Sequence, residues 1–185
     1  MRIVTIIPAR FNSSRLPGKM LMKINNKSVI QRTYEQVKKA SLIQDVYIAT
    51  DDNKIVEHCN SFGAQCILIQ DNCVNGTERV AKCLQILNLN CDLVLNVQGD
   101  EPFINPDDID LLINNYKEAA CSTLHYEVKN LEDLHNTNIV KMIVGQNNNV
   151  IYGSRGMIPF HKSSNSQPNV KYLAHVGIFL FQRKF

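Results

Sequence analysis

The sequence is short of the features that would take it out of the ordinary globular class. Its 185 residues contain no apolar stretch long enough to span a bilayer. The N-terminus lacks the charged-then-apolar order of a secretory signal. No basic run exceeds Lys38-Lys39 or Arg183-Lys184, and the net charge is only +3, so nothing electrostatic points to nucleic acid. Neither a membrane nor nucleic acid is expected as a partner, and the expected location is cytoplasmic. The six cysteines (Cys59, Cys66, Cys73, Cys83, Cys91, Cys121) include no Cys-x-x-Cys pair. Most sit in apolar periodic segments, where a free thiol behaves as a small hydrophobe, so neither a zinc site nor a disulfide framework is expected. Internal repeats and low-complexity tracts are absent.

What is present describes one globular domain, with 44% hydrophobic and 20% charged residues. Ile3 to Ile7 is apolar without alternation, as in a strand buried on both faces of a parallel sheet. It empties into a polar loop carrying Arg10, Arg15 and Lys19. Ligands of open α/β sheets bind where loops leave the carboxyl ends of strands, which makes this loop a candidate anion site. A solvated basic loop is the alternative.

Further along, Ser28 can cap a helix bearing Ile30, Tyr34, Val37 and Ser41. A strand follows at 46–50. Asp51 or Asp52 caps the next helix, with Ile55, Val56, Cys59 and Phe62 on its apolar face and Gly63 closing it. A strand at 66–69, a helix aligning Val80, Leu84 and Leu87, and a strand at 92–97 continue the alternation. Asn105-Pro106-Asp107-Asp108 is a strong helix start, and Ile109, Leu112, Ile113 and Tyr116 form its buried stripe. This rhythm predicts βαβ units and a mainly parallel, Rossmann-like α/β sheet. From about Cys121 the rhythm changes to a strand at 122–128, a hairpin joining 139–144 to 150–152, a polar loop at 161–169 and an apolar strand at 172–181. The expected organisation is one domain over 1–185, with a nucleotide-binding βα core at 1–120 and a sugar-binding and dimerisation part at 121–185. Ending directly after a strand, the domain reads as incomplete.

Gly18-Lys19 invites comparison with a P-loop, but Met20 stands where Ser or Thr is required and Ser13 where the first glycine belongs. A dinucleotide fingerprint is also absent. Phosphate must therefore be gripped by side chains as well as amides: forked donors from arginine and a compact charge from lysine. Asn96-Val97-Gln98-Gly99-Asp100-Glu101-Pro102 places a carboxylate at a strand's end, where Mg2+ with phosphate partners is expected; an Asp-Glu-Pro turn without a ligand is the alternative. Asn75-Gly76-Thr77-Glu78-Arg79 opens a helix whose amides can meet a base or phosphate.

Together these stretches resemble the nucleotide-sugar cytidylyltransferases, and among them the 3-deoxy-manno-octulosonate (Kdo) cytidylyltransferases. The resembling residues are IPARFNSSRLPGK (6–19), NGTERVA (75–81), NVQGDEP (96–102), NTNIVK (136–141), YGSRGMIPF (152–160) and HVGIF (175–179). The resemblance implies a glycosyltransferase-A-like fold with a C-terminal β-hairpin extension and a Mg2+-dependent attack of the Kdo anomeric hydroxyl on the α-phosphorus of CTP. Arg10, Lys19 and Asp100 would be catalytic, with Asp100 the metal ligand. Ala9, Arg10, Arg15, Lys19, Gly76, Arg79 and Gln98 would bind the nucleotide, and Arg155 and His175 the acidic sugar. As residues alone, Arg155 reads equally as a surface arginine, His175 as a satisfied core histidine and Lys141 as structural. Homodimers are usual in the family.

Two departures follow. The family's His-x-Ser before Gly-Thr is replaced here by Cys73 and Asn75. Family members also continue for several dozen residues, through an aspartate that supplies a second metal ligand. The 185-residue chain is therefore expected to turn over weakly or not at all. The alternatives are a non-catalytic nucleotide-binding homologue, or a cytidylyltransferase for another acidic sugar such as 8-amino-Kdo.

Overall fold

The structure is a computed structural model that describes residues 1–12, 16–160 and 170–184. Arg15 and the polar loop read at 161–169 lie outside the described residues. The elements are β1 (Ile3–Ala9), a single 3-10 turn (Lys19–Leu21), β2 (Lys23–Ile24), β3 (Lys27–Ser28), α1 (Val29–Val37), β4 (Asp45–Thr50) and α2 (Asn53–Ser61). There follow β5 (Gln65–Leu68), α3 (Gly76–Leu87), β6 (Leu93–Val97), α4 (Pro106–Asn114) and β7 (Cys121–Glu127). The last are α5 (Leu131–His135), β8 (Lys141–Val144), β9 (Val150–Ser154) and β10 (Leu173–Gln182). The chain divides into two compact units, Met1–Ser122 with the stretch from Gly177 on, and Thr123–Val176.

In the first unit the strands run β5-β4-β1-β6, all parallel, and residues 178–182 of β10 add antiparallel to β6. β1 is central and all seven of its residues are buried, which is why its sequence is apolar without alternation. One core cluster joins Val4, Ile6, Ala49 and Val94 of the sheet to Val80 and Cys83 of α3, with Ile69 and Cys91. All six cysteines are free.

The helices begin where side chains satisfy otherwise unpaired amides. Ser28 accepts from the Gln31 amide, Asp52 from Lys54, Asn75 from Glu78 and Asn105 from Asp107. α1 ends at Val37, so Ser41 is off the helix face; its amide and hydroxyl both donate to Asp110. α4 likewise ends at Asn114, and Tyr116 lies beyond it, its hydroxyl accepting from Gln182. His58 pairs through Nε2 with the Ser28 hydroxyl at 2.7 Å.

In the second unit β8 and β9 form an antiparallel hairpin, Lys141 opposite Ser154, and Leu173 and Ala174 of β10 pair with β8. Val128, Leu134 and Ala174 make its buried cluster, covered by Ile139, Met157 and Tyr172.

Candidate active site

The site grows from the carboxyl ends of two neighbouring strands and the start of one helix. β1 pairs with β6 (Ile6 opposite Asn96), so the loops after Ala9 and Val97 leave the sheet side by side. The N-terminus of α3 lies across them. One pocket of about 200 Å³ is lined by Ala9, Arg10, Lys19, Gly76, Arg79, Gln98 and Asp100, together with Pro8, Met20, Cys73, Val74, Asn75 and Gly99. It thus brings together every described nucleotide-site residue expected from the sequence. Arg155 and His175 belong to the second unit.

Close approach explains the glycines. A Cβ on Gly99 would stand 2.7 Å from the Pro8 carbonyl oxygen, and one on Gly76 would stand 3.2 Å from both Gln98 Oε1 and Pro8 Cγ. The strand ends can therefore meet only with bare backbone at Gly99, whereas a side chain at Gly76 would require Gln98 or Pro8 to give by a few tenths of an ångström. Thr33 anchors the same turn by donating from Oγ1 to the Gly99 carbonyl at 2.9 Å.

The first loop closes on itself, the Gly18 amide donating to the Phe11 carbonyl at 2.8 Å. Gly18 adopts φ +72°, a conformation that disfavours any side chain, and Lys19 opens the 3-10 turn immediately after it. Lys19 Nζ donates to Asp100 Oδ2 at 2.5 Å. Arg10 is exposed at the pocket rim.

Two acidic neighbours differ sharply. Asp100 is 41% exposed on its side chain and paired with Lys19. Glu101 packs against Gly177, and burial pushes its carboxyl above the usual carboxylate range, reinforced by Asp100. Among the described residues Asp100 is the only acidic lining residue, and no group of three His, Cys, Asp or Glu forms a protein-only metal cage. One accessible carboxylate facing cationic, phosphate-sized space fits Mg2+, which keeps waters and takes one or two carboxylates beside substrate phosphates.

At α3, Asn75 caps the helix and Glu78 reaches back to the Val74 amide at 2.7 Å. Asparagine in place of the expected serine thus still serves as a helix cap. Arg79, one turn in, is only 4% exposed. Its Nη2 donates to Asp51 Oδ2 at 2.9 Å, while its buried Nη1 has no partner among the described residues. From the sequence, Asp51 reads only as a helix cap. The cap is Asp52, and Asp51 instead accepts from the Phe11 amide at 3.1 Å as well as from Arg79.

In the second unit, Lys141 is fully buried, and no carboxylate among the described residues forms an ion pair with it. Its ammonium donates to the carbonyls of Asn136 and Ile139, each at 2.8 Å, and burial lowers its pKa, with Arg155 adding to the effect. Arg155 Nη1 donates to the carbonyl of Thr137 at 2.8 Å, between those two acceptors in sequence. His175 pairs through Nε2 with the Thr123 hydroxyl at 2.8 Å, and burial lowers its pKa too.

Among the described residues, no helix is long and apolar enough to cross a membrane. The sequence pattern of the family described as Cytidylyltransferase matches residues 4–185. A 3-deoxy-manno-octulosonate cytidylyltransferase of Zea mays is 45% identical over the whole of this chain, which spans 62% of that protein's length. An 8-amino-3,8-dideoxy-manno-octulosonate cytidylyltransferase of Shewanella pealeana is 39% identical over the whole chain and 76% of its own length. Among solved structures, a CMP:2-keto-3-deoxy-manno-octonic acid synthetase complexed with CTP superposes with a TM-score of 0.87 at 31% identity, covering 100% of this chain and 75% of the other. The mainly parallel α/β sheet is thus shared with that synthetase, and the chain belongs to the cytidylyltransferase family.

Proposed function

We propose that the chain transfers CMP from CTP to the anomeric hydroxyl of Kdo, giving CMP-Kdo and pyrophosphate. The observation that carries this reading is the convergence of Arg10, Lys19, Asp100, Gly76, Arg79 and Gln98 on one pocket in a chain similar along its length to a synthetase solved with CTP. Arg10 and Lys19 are the cations suited to the triphosphate, and they offset charge that develops on the departing pyrophosphate. The α3 N-terminus with Gly76, Arg79 and Gln98 is suited to the base and ribose end. Arg155 and His175 are proposed contacts to the acidic sugar on their motif positions.

The new bond joins the anomeric oxygen to the α-phosphorus. The bond broken joins the α-phosphorus to the α–β bridging oxygen, and the hydroxyl proton passes to solvent. Mg2+, held by Asp100 and phosphate oxygens, would supply charge neutralisation when bound. Because Lys19 and Asp100 are paired to each other, both must exchange that contact for the ligand, so the free site is preset and roughly neutral at that point. Product of this kind serves lipopolysaccharide precursor supply, in the cytoplasm, and a homodimer is the assembly proposed.

A second acceptor, 8-amino-Kdo, comes from the likeness to the Shewanella 8-amino-3,8-dideoxy-manno-octulosonate cytidylyltransferase. The test is pyrophosphate release from CTP and Mg2+ with each sugar in turn. Release with Kdo above that with 8-amino-Kdo is the expected result; the reverse order would replace the acceptor. CTP binding without release with either sugar would reduce the chain to a nucleotide-holding homologue.

A further inference from the structure

The start of the phosphate loop and the buried arginine of α3 share one carboxylate. β1 pairs with β4 in register (Ala9 opposite Thr50), which brings Asp51 alongside the point where the chain leaves β1. Asp51 Oδ1 accepts from the Phe11 amide at 3.1 Å, and Oδ2 accepts from Arg79 Nη2 at 2.9 Å. The Phe11 carbonyl receives the Gly18 amide at 2.8 Å, so Phe11 is held from both sides and ties together the two ends of the loop. Arg10 precedes that knot and Lys19 follows it directly, and both line the pocket.

The guanidinium is half committed. Arg79 is 5% exposed on its side chain, so the guanidinium is out of water while its partner Asp51, 34% exposed, stays in contact with solvent. Arg79 Nη1 remains buried without an acceptor among the described residues, while the residue lines the pocket. A buried charged donor left unpaired is costly, and a ligand oxygen or ring nitrogen reaching it removes that cost. Any movement of Arg79 toward such an acceptor is felt by Asp51 and hence by the Phe11 amide.

We propose that Asp51 is a positioning residue that couples ligand contact at Arg79 to the setting of the loop bearing Arg10 and Lys19. The nucleoside end and the phosphate end of the ligand then bind cooperatively. This inference rests on the reading of the pocket as a nucleoside triphosphate site.

The test uses the two halves of the ligand separately. Affinity for tripolyphosphate is measured by calorimetry with and without saturating cytidine, on the intact chain and on Asp51→Asn. Asparagine keeps an acceptor for the Phe11 amide but loses the charge that holds Arg79. The expected result is that cytidine tightens tripolyphosphate binding about fivefold or more in the unsubstituted chain, and that the factor falls to near one in Asp51→Asn. A merely structural carboxylate would change stability or both affinities together, and would leave the ratio intact. Binding of both halves with no coupling in the unsubstituted chain overturns this inference alone, whatever the variant does. Binding of neither half overturns the pocket reading and the inference with it. A coupling factor unchanged in a folded Asp51→Asn variant assigns the coupling elsewhere and removes Asp51 from it.

Discussion

Gly99→Ala is a severe perturbation for one methyl group. The new Cβ would sit 2.7 Å from the Pro8 carbonyl oxygen and 3.3 Å from Ile30 Cδ1 and Met20 Sδ. Ordinary contact begins near 3.4 Å, so the two backbones must part by up to 0.7 Å (3.4 − 2.7). Neither is free to do so. Pro8 is in register with Ala49 on one side, and the Gly99 carbonyl is held by Thr33. Overpacking of this kind costs about 1–3 kcal/mol. In a domain of this size that lowers Tm by roughly 2–12 °C, taking about 2–4 °C per kcal/mol. The displacement falls next to Asp100, whose carboxylate meets Lys19, and sites lose function when groups move by about 0.5 Å. CTP affinity should therefore drop with stability, by about tenfold. The control is Gly63→Ala, where φ is +77° and nothing lies within 4 Å of the new Cβ. That variant should lose about 1 kcal/mol to backbone strain and keep its CTP affinity, because Gly63 is not in the pocket lining. Thermal melts and calorimetric titration of both variants decide the matter. A Gly99→Ala protein with unchanged Tm and unchanged affinity would refute the packing argument.

Other consequences concern the core and the second unit. Burial raises the Cys83 thiol from 9.0 to about 12. The unfolded chain therefore ionises first, and the stability linked to this group is intact below pH 9 and lost as pH rises toward 12. At pH 10 that loss is about 1.4 kcal/mol, so Cys83→Ala should lose less stability than the parent between pH 7 and pH 10 by about that amount in urea titrations; equal losses would contradict it. Lys141→Met leaves the carbonyls of Asn136 and Ile139 without their donor, and should cost about 1–3 kcal/mol in denaturant unfolding. A variant as stable as the parent would mean those carbonyls find other donors. Asn105→Ala removes the acceptor for the Asp107 amide at the start of α4, and a loss of about 1 kcal/mol is expected; no change in the urea midpoint would discount the cap.

Much of this architecture is legible in the sequence because its signals are local. The unbroken apolar run of β1, the cap of α1 at Ser28 and the Asn105-Pro106-Asp107-Asp108 start of α4 each carry their structure in a few adjacent residues. The hairpin β2–β3 escaped that reading: its strands are two residues each, and its turn is made by Asn25 and Asn26 at positive φ, without glycine. α5 escaped too, since five residues after Asn130 are too few to show a helical period. Helix ends were overrun at Ser41 and Tyr116, where apolar spacing continues although tertiary partners have taken those side chains. Arg10, Lys19 and Asp100, which line one pocket, stand in motifs that are legible in the sequence. Asp51 does not: its contacts depend on the pairing of β1 with β4 and on a guanidinium 28 residues away. The close contacts of Gly76 and Gly99 are likewise products of the assembled sheet.

If the pocket holds CTP, its phosphates lie on the cations of the first loop. Calorimetric titration of CTP with Mg2+ into the unsubstituted chain and into Lys19→Met tests it most directly. Saturable binding near one site per chain is expected, weakened about tenfold or more by the substitution, as befits loss of a charge-assisted contact worth about 1.5–3 kcal/mol. No CTP binding by the unsubstituted chain, or equal affinity in the two proteins, would contradict it.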